Sequence, residues 1–373
     1  MAKPKQIAND WALLLDHTIQ VGTTKVLIVL GLRLSQLPVG RPLSFQDVEP
    51  IRILPMETSN QDVIFQVLEE IREDLGEIRL LSSDEGSDLK AGCNGFVETY
   101  PETVYISDIA HKLANLLQAE LKNDAAWNDL MTKAALARTK YQQTVMGYAT
   151  PPNQRSKARY MNAEILVSWA MKVIAAMESG RLEGEEQRKI FEAFGWVYGL
   201  RESIREFHEL CELISLTNHV IRCHGIHTET EERLSQLLKA IPRSDRAKKF
   251  CENILAFVSL QSAKAKPGER LLGSTEIIES VIGCEKYHAG QQSKSGFTQS
   301  ILIIGALTGS IDEELVAEAM LETRYEDIQI WSNSALGTTV QKARKNFYAT
   351  GSVSKKKLGR EMEHIIKQEA VCA

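Results

Sequence analysis

The sequence lacks an excess of positive charge. Its 44 Lys and Arg residues are outnumbered by 49 Asp and Glu residues, which gives a formal net charge of −5 at pH 7. Proteins that simply coat nucleic acid are basic, so the composition excludes that class. Any contact with DNA has to come from local basic clusters, or from metal ions that acidic side chains hold.

Long apolar runs and paired cysteines are also scarce. The longest apolar stretches, at 25–34 and 300–309, are too short and too interrupted to cross a bilayer. The N-terminal segment MAKPKQIAND lacks the apolar run of a signal peptide. The six cysteines are scattered without CxxC spacing, as is typical of reduced thiols in a cytosol. We therefore expect a soluble, cytoplasmic protein without a membrane partner, associated with the nucleoid if it is bacterial.

The length and the periodicity of apolar residues predict several structural units. A chain of 373 residues exceeds one ordinary domain. Strand and helix patterns alternate at first, and from about residue 123 apolar residues recur every three or four positions, which predicts helices only. We therefore expect an α/β protein whose mixed sheet is interrupted by a large all-α insertion. The predicted segments are the first part of the core (1–122), the insertion (123–268), the rest of the core (269–335) and a basic helical tail (336–373).

Three of the predicted strands end in aspartate, at Asp16, Asp84 and Asp108. The order of elements is three strands, a helix, a strand, a short helix, a strand and a helix, which is the order of a ribonuclease H-like core. The predicted strands are 11–16, 25–34, 51–55, 77–84 and 103–108, and the helices are 61–76, 87–96 and one that starts at 108.

The strand-end aspartates predict a metal site. In such a sheet the first and fourth strands are neighbours, so Asp16 and Asp84 can converge. Two carboxylates a few ångströms apart repel one another, and a shared divalent cation relieves this repulsion. Mg²⁺ prefers carboxylate oxygens and keeps open positions for phosphate. Two such ions about 4 Å apart can act on the attacking and leaving oxygens of a phosphodiester.

A third acidic residue is predicted on the helix of residues 273–286. On a helical wheel, Glu276 lies opposite the apolar face, whereas Glu279 lies at its border and can reach over the sheet edge. Lys286 lies close to the same line as Glu279, two turns further on. Glu279 is therefore the preferred third ligand, Lys286 is a predicted phosphate contact, and Glu276 is the alternative ligand. The apolar face consists of Ile277, Ile278, Val281 and Ile282.

Three segments, LLLDHTIQVG, LLSSDEGSDLKAG and STEIIESVIGCEK, resemble the acidic motifs of a DDE transposase. The helical block between the second Asp and the Glu is similar to the insertion of many members. DIAH at 108–111 resembles the Cys/Asp-x-x-His signature of hobo-Activator-type and related superfamilies. The gap of six residues between Glu279 and Lys286 is similar to the acid-to-lysine spacing of insertion-sequence transposases. The resemblance covers about residues 11–335.

The resemblance implies an enzyme that cleaves DNA and transfers strands at transposon ends. Asp16, Asp84 and Glu279 would be its catalytic residues and would hold two Mg²⁺ ions, for which Mn²⁺ substitutes. Asp108 is a further candidate for a metal ligand. The partner would be double-stranded DNA, both as transposon ends and as target, and the chain would act on it as a homo-oligomer.

The sequence departs from the family in two ways. Only fifteen residues precede Asp16, whereas such transposases usually carry a site-specific DNA-binding domain there. The tyrosine and arginine that precede the Glu in some insertion-sequence families are also missing, and Thr275 stands at the arginine position. Two alternatives therefore remain. One is a catalytically impaired fragment that binds DNA or interacts with a full transposase. The other is a ribonuclease H-like metal-dependent nuclease without strand transfer.

Two candidate residues at the start of the predicted helix from residue 108 have an ordinary structural interpretation as well. Asp108 can cap a helix as readily as it can bind metal. His111 is then either a residue beside the metal ligands and the DNA, or a packed histidine of the first turn. Trp196 can stack on an unpaired base, although an ordinary position in a helical core is the commoner one.

The remaining candidate sites are two basic segments that could contact DNA and one His and Cys segment that could bind zinc. The loop residues Arg155, Lys157 and Arg159 can follow phosphates, or they form a solvated surface. The same alternative applies to the C-terminal tail. His219 and Cys223 share a helix face, as zinc ligands do, but no second Cys and His cluster has ligand spacing. The basic tail residues are Lys355, Lys356, Lys357 and Arg360.

Overall fold

The computed structural model contains a five-stranded mixed sheet in its described residues, with the order β3-β2-β1-β4-β5. β1, β2 and β3 are antiparallel neighbours, whereas β4 runs parallel to β1 and β5 parallel to β4. The predicted adjacency of the first and fourth strands is confirmed. The strands are β1 (Ala8–Ile19), β2 (Lys25–Arg33), β3 (Glu49–Met56), β4 (Gly76–Ser83) and β5 (Val104–Ser107). The structure describes residues 5–19, 24–84, 86–154, 160, 163–179, 184–241, 243–291, 298–337 and 340–349.

The central strand β1 is buried on both faces of the sheet. Successive residues of a strand point to opposite faces. Accordingly, Ala12 and Leu14 belong to one hydrophobic cluster, and Leu13 and Leu15 to another. All four side chains are fully buried. A strand with two buried faces requires a continuous apolar run instead of alternation, which explains the segment WALLL.

β1 does not end at Asp16, which corrects the expectation from the sequence. Its pairing with β4 stops where Leu15 lies opposite Ser83. Its pairing with β2 continues to Ile19, because the antiparallel partner still supplies hydrogen bonds beyond the point where the parallel neighbour ends. Asp16 therefore lies at the end of the β1–β4 pair but inside the β1–β2 hairpin.

Two helices cover one face of the sheet, α1 (Gln61–Leu75) and α2 (Ser87–Thr99). Asn60 caps α1 with its side chain, as short polar residues do at this position. α1 ends at Gly76, where φ is +89° and a Cβ atom would lie 2.4 Å from the Ala8 carbonyl oxygen. Glycine is therefore required at the point where the chain turns from α1 into β4.

The opposite face of the sheet is covered by α3 (Ile109–Leu121), which leads into a block of helices. One hydrophobic cluster runs from Leu14 of the sheet through Leu113 of α3 to Phe250 of the block. The block therefore packs onto the core of the sheet, and the boundaries at 122/123 and 268/269 stay a prediction. Its helices are α4 (Ala125–Tyr141), α5 (Ala163–Glu178), α6 (Gly184–Tyr198), α7 (Arg201–His224), α8 (Thr230–Lys239) and α9 (Asp245–Ser262).

The chain then returns to the sheet edge through α10 (Glu276–Gly290), which packs against β1. Immediately before it, Leu271 forms an isolated antiparallel bridge with Ile226, which follows α7. No helix in the described part of the chain is both long and apolar enough to cross a membrane. The last helices are α11 (Ile303–Leu307), α12 (Glu313–Glu322), α13 (Tyr325–Ala335) and α14 (Val340–Ala349).

Candidate active site

Asp16 and Asp84 lie side by side at one edge of the sheet. Leu15 and Ser83 are paired across β1 and β4, and each aspartate directly follows one of these two residues. The Asp84 carboxylate also accepts a hydrogen bond from the Gly86 backbone at 3.0 Å, which holds the turn after β4. The strand pairing therefore places the two aspartates at neighbouring positions, one after each strand of the pair.

The ionisation of Asp16 reports on its surroundings. Burial, together with the negative charges of Asp84 and Glu279, raises the pKa of Asp16 to about 7. The positive charge of Lys286 acts in the opposite direction. Asp16 is thus close enough to all three of the other predicted residues to be affected by their charges.

Glu279 lies in the first turn of α10, and its apolar neighbours point into the core as the helical wheel predicted. Its Oε1 lies 3.5 Å from His111 Nδ1. Burial raises the pKa of Glu279; the charge of His111 opposes this, and the charges of Asp108, Glu276 and Asp84 add to it.

Glu276, the alternative ligand, has a different partner. Its Oε2 lies 2.7 Å from Arg222 Nε of α7. The side chains of Glu276 and Glu279 are similarly exposed, at 43% and 37%. Exposure therefore does not separate the two glutamates, but their partners do. Only Glu279 is among the groups that shift the pKa of Asp16.

Asp108 joins two distant segments of the chain. It is the N-cap of α3, where Oδ1 accepts from the His111 backbone at 2.8 Å and lies 3.2 Å from His111 Nδ1. Its Oδ2 accepts from the Thr275 backbone at 2.5 Å and from the Thr275 hydroxyl at 2.9 Å. Although burial opposes ionisation, hydrogen bonds from His111 and Thr275 keep the pKa of Asp108 below its ordinary value. Both oxygens are therefore engaged within the protein.

His111 lies between Asp108 and Glu279 and connects them. The hydrogen bond to Asp108, together with the charges of Asp108, Glu279 and Asp84, raises the pKa of His111 to about 9. The imidazole is therefore protonated near neutral pH and provides positive charge beside the acidic residues. The DIAH segment thus places a cap and a cation at the site.

The remaining predicted contacts differ in their positions. Lys286 is exposed on α10 and acts electrostatically on Asp16. Trp196 lies on α6, where it packs against the core with its ring centroid 6.1 Å from that of Trp169. This position agrees with the ordinary core interpretation.

The two basic segments lie outside the described residues. They are the loop with Arg155, Lys157 and Arg159 and the tail from Lys355 to Arg360.

Sequence reasoning missed a polar cluster on the α1–α2 side of the same sheet edge. His17, Lys25, Ser59 and Asp88 meet there. The adjacency of Asp16 and His17 could have indicated this cluster. Neighbouring strand residues point to opposite faces of the sheet, so His17 places a polar side chain on the face away from Asp16. The spacing of Asp84 and Asp88 was a second signal, since a helix that begins between them brings Asp88 back over the sheet edge.

The donor chemistry of the site fits a divalent cation. Asp16, Asp84 and Glu279 offer carboxylate oxygens, which Mg²⁺ prefers, and bound cations offset the mutual repulsion of such groups. In the described part of the chain, however, no three His, Cys, Asp or Glu side chains lie close enough together to hold a metal ion as they stand. The three acids would have to move toward one another to share an ion.

The candidate zinc ligands remain a pair. His219 Nδ1 lies 3.9 Å from Cys223 Sγ on α7. The absence of a metal-binding group of three among the described residues applies here as well, so these two side chains gain no third described ligand.

Comparison with known proteins finds distant likeness to solved structures. No family model matches the sequence, and no curated protein matches it. A similar solved structure is the Drosophila P element transposase strand transfer complex, at 11% identity and a TM-score of 0.37. The similarity covers 75% of this chain and 72% of that chain. At these values the likeness identifies neither the fold nor the activity of this protein.

Proposed function

We propose that this protein is a DDE-type DNA transposase, which cleaves phosphodiester bonds and transfers strands at transposon ends. The observation that carries the proposal is that three acids distant in the sequence meet at one sheet edge: beside burial, the charges of Asp84 and Glu279 raise the pKa of Asp16, and the charge of Asp84 also raises the pKa of Glu279. Half-buried like charges destabilise a fold, and perturbed carboxyl groups of this kind cluster at functional sites.

The order of the strands supports a ribonuclease H-like core as the finer description of the fold. Three antiparallel strands are followed by two parallel ones, and β1 lies between β2 and β4. The helical block lies between β5 and α10 in the sequence, so it interrupts the core at the position where the proposed family carries its insertion.

Asp16, Asp84 and Glu279 are the residues that would hold two Mg²⁺ ions, with Mn²⁺ as a substitute. When bound, such ions activate the attacking oxygen and stabilise the leaving oxygen of a phosphodiester. Asp108 is not needed as a ligand in this scheme, because hydrogen bonds to His111 and Thr275 already engage both of its oxygens.

The protein's own cations have supporting roles in the proposal. Protonated His111 orients the Glu279 carboxylate and reduces the repulsion among the acids, because it lies beside Glu279. Lys286 lies on the exposed side of α10 and would contact a phosphate of the substrate. Double-stranded DNA, as transposon ends and as target, is the proposed partner, and the proposed acting form is a homo-oligomer on DNA.

The test is a cleavage and joining assay with the full chain. We expect nicking of plasmid DNA and joining of pre-cut ends in Mg²⁺ or Mn²⁺ but not in a chelator. Asp16→Asn should abolish both reactions, whereas Glu276→Gln, a change on the same edge whose partner is Arg222, should leave them intact. Normal cleavage by a folded Asp16→Asn protein would overturn the proposal.

A protein that binds DNA without cleaving it is the second candidate. The observation in its favour is that the described acids do not form a ready-made metal-binding group. DNA binding by the wild-type chain, without cleavage at any divalent-metal concentration, would select this candidate. Cleavage without joining would instead indicate a nuclease with the same core.

A further inference from the structure

A second polar cluster lies on the other face of β1, directly behind the proposed catalytic acids. His17 follows Asp16 in the strand and therefore points to the opposite face. His17 Nδ1 lies 3.7 Å from Asp88 Oδ2, and Lys25 Nζ lies 3.8 Å from the same oxygen. Ser59 Oγ lies 3.3 Å from His17 Nε2. We call these four residues the Lys25 cluster.

The ion pairs of the Lys25 cluster are incomplete. Both distances to Asp88 Oδ2 are longer than a hydrogen bond, and this oxygen is buried without a hydrogen-bond partner among the described residues. The Lys25 side chain is 35% exposed, so its ammonium group is accessible from solvent. An ammonium group has three donors, and a single loose acidic partner leaves capacity for another anion.

The position of Lys25 relates it to the catalytic acids. Asp16 is paired with Ile28 and Ile19 with Lys25, so Lys25 lies three strand positions beyond Asp16. At about 3.3 Å per strand residue, this separation is about 10 Å along the direction of β1 and β2, beyond the end of the β1–β4 pair. A nucleic-acid strand rises about 3.4 Å per nucleotide. A strand with one phosphate at the acids therefore has a phosphate within reach of Lys25 a few nucleotides away.

We propose that the Lys25 cluster is a binding site for a phosphate of the nucleic-acid backbone, with Lys25 as the contacting cation. Asp88 and His17 position Lys25 at the edge of the sheet. The inference rests on the proposed function for the class of substrate. It adds a second point of contact, on the face of the sheet away from Glu279 and Lys286, that fixes the path of the DNA strand across the edge.

The test is the salt dependence of DNA binding, measured by fluorescence anisotropy with a labelled duplex of arbitrary sequence in metal-free buffer. The logarithm of the association constant falls linearly with the logarithm of the salt concentration. Loss of one phosphate contact makes this slope less steep by about 1. We expect this change for Lys25→Met and recovery of the wild-type slope for Lys25→Arg. Asp88→Asn should weaken binding less than Lys25→Met and leave the slope unchanged, because the cation remains.

Lys133→Met is the matched control. Lys133 pairs with Asp129 at 2.7 Å on α4 and is 43% exposed, so the change removes a similar lysine from the helical block. An unchanged slope in folded Lys25→Met, or an equal change in Lys133→Met, would overturn the inference. If Lys25→Met does not fold, Lys25→Gln is measured against the same two outcomes. Metal-dependent cleavage by the wild type is scored separately, so the proposed function can stand when this inference fails.

Discussion

Asp108 and Thr275, which are 167 residues apart in the sequence, share two hydrogen bonds on one carboxylate oxygen. The other oxygen accepts from the His111 backbone at the start of α3. A single buried carboxylate therefore joins the element that precedes the helical block to the segment that follows it. Since Thr275 immediately precedes α10, this contact also sets the position of Glu279.

The first prediction concerns the Thr275 hydroxyl. Thr275→Val keeps the shape of the side chain but removes one donor to a buried, charged acceptor. We expect the free energy of unfolding to fall by about 1–3 kcal/mol, measured by urea denaturation. Thr275→Ser keeps the hydroxyl and should stay closer to the wild type. A loss in Thr275→Ser that equals or exceeds the loss in Thr275→Val would show that the methyl group contributes at least as much as the hydrogen bond.

The order of elements could be predicted from local patterns, and the proposal of two ligands, Asp84 and Glu279, rests on such patterns as well. The run WALLL indicates a strand with two buried faces, and Asp84 follows a strand of the same kind. Glu279 could be preferred over Glu276 because the buried face of α10 fixes where both side chains point. Predictions of this kind are possible where a single element determines which way the side chains point.

Contacts between distant elements could not be predicted in the same way. Thr275 was noted only as a missing arginine, because nothing in its sequence neighbourhood shows that Asp108 lies beside it. The extension of β1 to Ile19 depends on its pairing with β2. The Lys25 cluster depends on the start of α2, which places Asp88 beside His17 and Lys25 of the β1–β2 hairpin. Each depends on tertiary packing, which local periodicity does not encode.

The second prediction separates the two glutamates of α10 by metal affinity. Glu279→Gln should weaken Mn²⁺ binding, followed by electron paramagnetic resonance, by more than the ~10–100-fold typical of residues that only support metal ligands. Glu276→Gln should bind Mn²⁺ like the wild type and lose only a half-exposed ion pair to Arg222, worth up to about 1 kcal/mol. Weaker binding in Glu276→Gln alone would exchange the roles of the two residues.

The third prediction concerns the cost of ionising Asp16 without metal. The pKa of Asp16 is raised from 3.8 to about 7 by burial and by Asp84. Its folded-state pKa exceeds the unfolded one, so its contribution to stability is lost as pH rises from about 4 to 7. One pKa unit corresponds to about 1.4 kcal/mol. Asp16→Asn should therefore stabilise the chelator-treated protein by about 2–4 kcal/mol at pH 8.

The measurement is urea denaturation of both proteins across this pH range in the presence of a chelator. The difference between them should vanish below about pH 3, where Asp16 is protonated in both states. Saturating Mg²⁺ should raise the stability of the wild type at pH 8, because a ligand that binds the folded state stabilises it, and should have less effect on Asp16→Asn. A difference independent of pH would contradict the assignment.

The last prediction concerns His111, whose substitution should destabilise the protein, whereas that of Asp16 should stabilise it. The pKa of His111 is raised from 6.5 to about 9, first by the hydrogen bond to Asp108. The stabilisation from its protonated form is complete below about pH 6.5 and is lost as pH rises through 9.

The His111 side chain is 27% exposed, so solvent screening reduces the effect. We expect His111→Gln to lower the free energy of unfolding by about 1–2 kcal/mol at pH 6. The cost should be much smaller at pH 10. His208→Gln is the control, because it removes a histidine that also lies beside an acid, 3.9 Å from Glu212 on α7. A cost for His111→Gln that is equal at pH 6 and pH 10 would mean that the imidazole contributes packing and not charge beside Glu279.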